Sequence, residues 1–210
     1  MRTIYVVKTE DTKHNEINNL FAAIEQRGFF AERAAMEERP DFQQIIPSFV
    51  LMDTTKNTIL VFQRKPKHTE QRLAGLWTPV FGGHTDPIDF DRETVHGFAD
   101  VAGLEIPAVI FNALAREMWE ETGIDILEID IGFNGIIKDD SNDVGKVHMG
   151  ILFMVDLEIT EDLKEQILSK SEIHNIVEIE GAHLPEYIED NFDKLESWAQ
   201  LVLEDMVEDE

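Results

Sequence analysis

The sequence contains no cysteine. Disulfides, a thiolate nucleophile and Cys-based zinc sites are excluded with it. Positive charge is also scarce: 18 Lys and Arg stand against 43 Asp and Glu, a formal net charge of −25. Binding to a nucleic-acid polymer needs Lys and Arg to displace counterions from phosphates, so no such partner is expected. An anionic membrane surface is disfavoured by the same charge, and no apolar run approaches spanning length. Met1-Arg2-Thr3 does not open a signal peptide. No internal repeat or low-complexity linker interrupts the chain. The expectation is a cytoplasmic protein with a solvated acidic shell.

What is present suits a sizeable core. At 210 residues and 43% apolar content, the chain makes one domain, or one domain with an added lobe. The few cations are unevenly spread. Lys56, Arg64, Lys65, Lys67 and Arg72 lie within 17 residues, opposed there by Glu70 alone. A wall facing a phosphate would use such an island; a basic surface loop would carry the same residues.

Ile4 to Val7 reads as a strand, and Asn15 to Arg27 carries Ile17, Leu20, Phe21 and Ile24 at helical spacing, ending at Gly28. A second helical piece is expected over Ala31 to Glu38. Ser48 to Met52 and Thr58 to Phe62 flank a polar turn and predict a hairpin. Trp77 to Phe81 predicts a third strand running into Gly82-Gly83, where paired glycines permit close approach of the backbone to a metal or phosphate. Thr85 to Glu105 is too long for a structureless connection and should hold some helix. It stands as a lid or specificity element, or as a surface insertion.

Strands are expected at Ile129 to Ile137 and Lys146 to Leu157, around the acidic loop Lys138 to Asp143. That loop is not an EF-hand: counting from Asp139, the required Gly and Glu positions hold Val144 and Gly150. His148, inside the second of these strands, reads as a hydrogen-bonded core residue more readily than as a ligand. A helix over Glu161 to Ser169, a strand over Ile173 to Ile179 and one long helix over Pro185 to Met206 complete the pattern.

The most informative stretch is Arg116 to Ile124. Pro107 can open a helix there and Gly123 can close it. Phe111, Leu114, Ala115, Met118 and Thr122 make one mostly apolar stripe, and Glu117, Glu120 and Glu121 share an adjoining face. Three neighbouring carboxylates repel one another unless a cation joins them. Hard divalent ions such as Mg²⁺ take oxygen ligands of this kind.

Arg116-Glu117-Met118-Trp119-Glu120-Glu121-Thr122-Gly123-Ile124 resembles the second half of the Nudix box, G-x5-E-x7-R-E-U-x-E-E-x-G-U, where U is bulky and aliphatic. Gly82-Gly83 is similar to the glycine pair that opens the box. Between Gly83 and Arg116 lie 32 residues where the pattern has 13, and counting back from Arg116 the first Glu of the box falls on Ala108. Arg72-Leu73 to Gly82-Gly83-His84, with Val144 to Gly150, resembles the branch of predicted phosphoesterases of the MutT type. The resemblance spans residues 45 to 206.

It implies an α/β fold, the Nudix-type α/β/α sandwich around a mixed β-sheet. Residues 1–44 would be a strand-helix extension packed on that core, or a homodimer contact. Residues 85–105 would be an insertion, and 207–210 an acidic tail. The resemblance further implies Mg²⁺ or Mn²⁺ on Glu117, Glu120, Glu121 and the carbonyl of Gly82. The general base would be a loop carboxylate, Glu172 or Asp139. Arg116, Gly83 and Gly123 would be structural, with Glu93 or Glu105 replacing the missing partner of Arg116. Arg64, Lys65, Arg72 and His84 would bind the substrate, a small phosphorylated molecule such as a nucleotide derivative. The activity implied is hydrolysis of a diphosphate linkage; the alternative is a non-catalytic nucleotide-binding or regulatory module on the same fold. Prenyl-diphosphate isomerases of this fold commonly use a catalytic Cys, which this chain lacks.

Overall fold

A computed structural model describes residues 2–14, 16–66, 71–91, 100–101, 104–170 and 172–208. Its strands are β1 (Thr3–Lys8), β2 (Phe29–Glu32), β3 (Phe42–Asp53), β4 (Thr58–Arg64), β5 (Trp77–Thr78), β6 (Phe81–Gly82), β7 (Asp100–Val101), β8 (Leu104–Glu105), β9 (Asp130–Ile137), β10 (His148–Asp156) and β11 (Ile173–Glu180). Its helices are α1 (Ile17–Arg27), α2 (Arg33–Met36), α3 (Pro87–Asp91), α4 (Ala108–Glu121), α5 (Glu161–Lys170), α6 (Leu184–Asn191) and α7 (Ser197–Glu208). The class is α/β, as the pattern predicts. A nine-stranded sheet runs in the order β11-β4-β3-β1-β2, with β10 joined to β3 and β9, and β7 and β8 form a separate ribbon. No described helix is long and apolar enough to cross a membrane.

The chain divides into two compact units. The first comprises Met1–Ser48, Gly82–Glu117 and Gly132–Phe153; the second comprises Phe49–Phe81, Met118–Ile131 and Met154–Glu210. In the first, β1 pairs antiparallel with β2, Thr3 opposite Glu32, and with β3, Val6 opposite Gln44. The first residues of the chain therefore extend the sheet. Phe21 packs edge-on to Phe133 at 5.6 Å, and Phe133 on Phe153 at 6.0 Å. In the second unit β4 pairs with β11 along seven positions, and Phe81 packs between Phe49 and Phe62 at 5.1 and 4.3 Å. The near-continuous apolar runs of β3, β4 and β10 match strands covered on both faces.

Three expected elements differ from those observed. The helix predicted over Ala31 to Glu38 is reduced to α2, because Phe29–Glu32 pairs with β1 and that pairing outweighs local propensity. The strand predicted over Trp77 to Phe81 is two short pieces. Pro79 has no N–H for a ladder, and the N–H of Val80 turns to Thr78 Oγ1 at 3.1 Å. The long terminal helix breaks into α6 and α7 around a 3₁₀ turn at Phe192–Lys194, where the N–H of Glu196 bonds to the carbonyl of Trp77 at 3.0 Å. Thr85 also differs: it is fully buried and bonded through backbone to Tyr5 and Ile45, so it belongs to the framework of the first unit. Glu93, Val95 and Phe98 of the expected insertion lie outside the described residues.

The β3–β4 turn rests on Asp53, which is 1% exposed. Its carboxylate accepts from Thr55 Oγ1 at 2.6 Å, from the N–H of Lys56 at 3.1 Å and from the N–H of Ile159 at 3.1 Å, and it pairs with Lys56 Nζ at 2.9 Å. The hydrogen bonds from Thr55 and Lys56 hold its pKa well below the usual carboxylate range. A depressed folded-state pKa stabilises above the unfolded value, and that stability is lost as pH falls through the folded one. Asp53→Asn should therefore lower the denaturant midpoint at pH 7. It should also flatten the decline of wild-type stability below about pH 3.9, as read by urea melts across pH.

Candidate functional site

In the first unit the site is built around Arg116, which is 8% exposed on α4. Its Nε and Nη2 donate to the two oxygens of Asp89, each at 2.9 Å, a bidentate pair. Nη2 also donates to the carbonyl of His84 at 2.8 Å, and Nη1 to Glu117 Oε1 at 2.7 Å. Asp89 is fully buried on α3, accepts the N–H of Asp86 at 2.8 Å, and through its carbonyl accepts Asn112 Nδ2 at 2.9 Å. Among the described residues the carboxylates paired with Arg116 are Asp89 and Glu117, and not the expected Glu105. Glu105 is exposed on β8, and Glu93 lies outside the described residues. Asp89 stands six residues after Gly83, where the G-x5-E half of the box puts its Glu. Counting forward from the glycine finds it; counting back from Arg116 lands on Ala108. The extra length lies between Asp89 and Arg116, which are separated by 26 residues where the pattern has seven.

The two glycines have distinct reasons. Gly82 has φ of +137° and a Cβ there would sit 2.3 Å from the carbonyl oxygen of Pro47, so only glycine is tolerated. A Cβ on Gly83 would lie 2.4–2.6 Å from three atoms of the Glu117 carboxylate. The carboxylate is thereby pressed against bare backbone. The His84 ring has Nε2 2.8 Å from Gln44 Oε1 and 3.4 Å from His148 Nε2. Both carboxylate oxygens of Asp139 accept bonds from its own loop, from Ser141 and Asn142.

In the second unit α4 ends with Glu120, exposed, and Glu121, partly buried. Gly123 closes the helix with φ of +75°. Burial pushes the Glu121 carboxyl up, and the charges of Glu172 and Glu120 push it further, while Arg64 opposes them. Glu172 and Arg64 therefore face Glu121 electrostatically. Arg64 is held by Glu196, Nε to Oε1 at 2.6 Å and Nη2 to Oε2 at 3.4 Å. The N–H of Lys65 bonds to the carbonyl of Glu172 at 2.8 Å. Arg72 is exposed in the middle of a short 3₁₀ turn at Gln71–Leu73. Lys56 is occupied by Asp53 and by the carbonyl of Ile159 at 2.7 Å, so it serves the hairpin turn. Lys67 lies outside the described residues. Nothing in the sequence around Glu196 announces a partner 132 positions away.

Over 209 residues the chain is 32% identical to protein YmaB of Bacillus subtilis (strain 168), a match covering 96% of this chain and 88% of the relative. The chain belongs to the YmaB family. No family model matches it. Its fold is that of the Nudix hydrolases. The structure of Tm1382, described as of that type, superposes with a TM-score of 0.67 over 98% of each chain at 22% identity. DR0079 from Deinococcus radiodurans gives 0.60 over 97% of this chain and 98% of that one, at 10% identity. A Nudix hydrolase from Alicyclobacillus acidocaldarius gives 0.56 over 79% and 91%, at 14% identity.

For this YmaB-family chain two expectations follow from the geometry. Arg116→Ala leaves the buried Asp89 uncompensated and should cost about 3–5 kcal/mol. In a cycle with Asp89→Asn the two losses should not add, as read by denaturant melts of both single variants and the double. Glu121 has a raised folded-state pKa, so its contribution to stability is present at low pH and is lost as pH rises through that value. Glu121→Gln should accordingly raise the melting temperature of chelator-treated protein at pH 7. A lower melting temperature would instead mean that the carboxylate is favourably held without a metal.

Proposed function

We propose that the chain is a divalent-metal-dependent hydrolase of a diphosphate linkage in a nucleoside diphosphate derivative or a related small phosphoester. The observation that carries this reading is the crowding of carboxylates at the end of α4. Burial and the negative charges of Glu172 and Glu120 disfavour ionised Glu121, an arrangement that a bound cation would reverse. Arg116 engages both Glu117 and Asp89, so one guanidinium is shared between two carboxylates. The donor set is all oxygen, which suits Mg²⁺ or Mn²⁺. Glu117, Glu120, Glu121 and the carbonyl of Gly82 would hold the ion. When bound, it supplies charge neutralisation on the phosphate oxygens and acidifies water.

The chain's own groups have separable tasks. Arg116, by holding Asp89, Glu117 and the His84 carbonyl together, sets the position of Gly83 against Glu117. Glu172 is the general base, a carboxylate near Glu121 able to take the proton of the attacking water. Arg64, Lys65 and Arg72 offer cations to the phosphates, with Arg64 oriented by Glu196. The names of the structural neighbours support this reading at the level of fold.

Glu120→Gln and Glu121→Gln should fold and yet lose more than tenfold in kcat/KM, at least about 1.4 kcal/mol of transition-state stabilisation. The assay is chromatographic detection of the nucleoside monophosphate and the second phosphomonoester formed from a panel of nucleoside diphosphate derivatives with Mg²⁺ or Mn²⁺. Divalent ion should raise the melting temperature of the wild type more than that of either variant. Turnover that survives both substitutions, or a wild type that binds the panel without turnover, would overturn the hydrolase assignment; the second result would favour a binding module.

A further inference from the structure

Apart from the glutamates of α4, three donors from distant parts of the sequence converge within the first unit. Glu37 caps the end of α2, His84 follows Gly83, and His148 opens β10. One ligand atom from each lies within 4.8 Å of the others. The Nε2 atoms of the two imidazoles are 3.4 Å apart. That is long for a hydrogen bond between rings. It is the spacing a shared ion imposes: two nitrogens about 2.0–2.1 Å from a tetrahedral zinc stand about 3.3–3.4 Å from one another.

The surroundings fit the same role. His148 Nδ1 lies 2.7 Å from the carbonyl of Val144, so that nitrogen carries the proton and Nε2 presents its lone pair toward His84. A histidine ligand typically donates its other ring N–H to such a carbonyl, which fixes both tautomer and ring orientation. Gln44 is fully buried and turns Oε1 to His84 Nε2 at 2.8 Å, while its amide nitrogen is buried without a partner. With Gln44 Oε1 as the acceptor, His84 Nε2 carries the ring proton, so ligation through Nε2 requires the Nδ1–H tautomer. Arg33, Arg2 and Arg116 stand close enough to disfavour positive charge at His84. Those cations also oppose a dication. Glu37, which now accepts from Arg33 at 3.0 Å, supplies the negative charge that offsets them.

We propose that Glu37, His84 and His148 form a second divalent-metal site, suited by its donors and spacing to Zn²⁺ and independent of the glutamates of α4. Two imidazoles and one carboxylate are borderline donors that favour zinc over Mg²⁺. The Oε1 of Gln44 or a water completes four-fold coordination. The ion would tie α2, the glycine loop and β10 together, fixing the loop whose carbonyl Arg116 reads.

The test uses the full-length chain carrying Glu120→Gln and Glu121→Gln, so that the proposed catalytic cluster is removed and the two assignments fail separately. Zn²⁺ is titrated against a chromophoric chelator, and Co²⁺ binding is followed by its visible spectrum. One equivalent of Zn²⁺ should be retained, with intense tetrahedral Co²⁺ bands. Adding His148→Gln should weaken Zn²⁺ binding at least tenfold. Glu37→Gln lies at a partly exposed helix end and serves as the second variant should His148→Gln fail to fold; a loss of about tenfold is expected. Zn²⁺ binding absent from the Glu120→Gln/Glu121→Gln protein, or unchanged by Glu37→Gln, would overturn the proposal.

Discussion

One buried guanidinium is the constraint from which the first unit's site follows. Arg116 could not be buried without acceptors, since the desolvation of an ion costs several kcal/mol. Among the described residues its acceptors include Asp89 on α3, the carbonyl of His84 and Glu117 on its own helix. Satisfying them aligns α3 and the glycine loop with α4. That alignment in turn presses Glu117 against Gly83, where any side chain would collide with its carboxylate. Gly83, the short α3 and the placement of Glu117 are therefore tied to a single ion to be satisfied, whereas Gly82 answers to the carbonyl of Pro47.

The second unit repeats the logic with Arg64 and Glu196. Arg64 is bound at 2.6 Å by a carboxylate fixed at the start of α7, and it still lowers the energy of ionised Glu121. Its charge is thus shared between a structural partner and the crowded carboxylates. Glu172 and Glu120 act in the opposite sense on Glu121. Lys56 is drawn into the hairpin turn and Arg64 into its pair, so the basic island is not a set of open charges. In a chain of net charge −25 that distinction matters, because most of the excess is solvated surface and only a few carboxylates are forced together.

Local pattern determined much of this. The apolar stripe and glutamate face of α4, its closure at Gly123, the β3–β4 hairpin and the buried strand at β10 follow from periodicity and turn chemistry, which act over a few residues. Glu117, Glu120 and Glu121 lie on one helix, as their spacing predicts.

Tertiary structure alone decided the partners. Asp89 replaces a glutamate at a position that can be counted only from Gly83, and the 19 added residues between it and Arg116 hide it from the other end. Glu196 reaches Arg64 across 132 positions, and His84 meets His148 across 64. β2 is a strand because β1 lies beside it, and α6 and α7 separate because Glu196 is bonded to Trp77 and Arg64. Periodicity records which face of an element is apolar. It carries no information on which charge a buried ion will meet, since that depends on distances between segments that only the folded chain brings together.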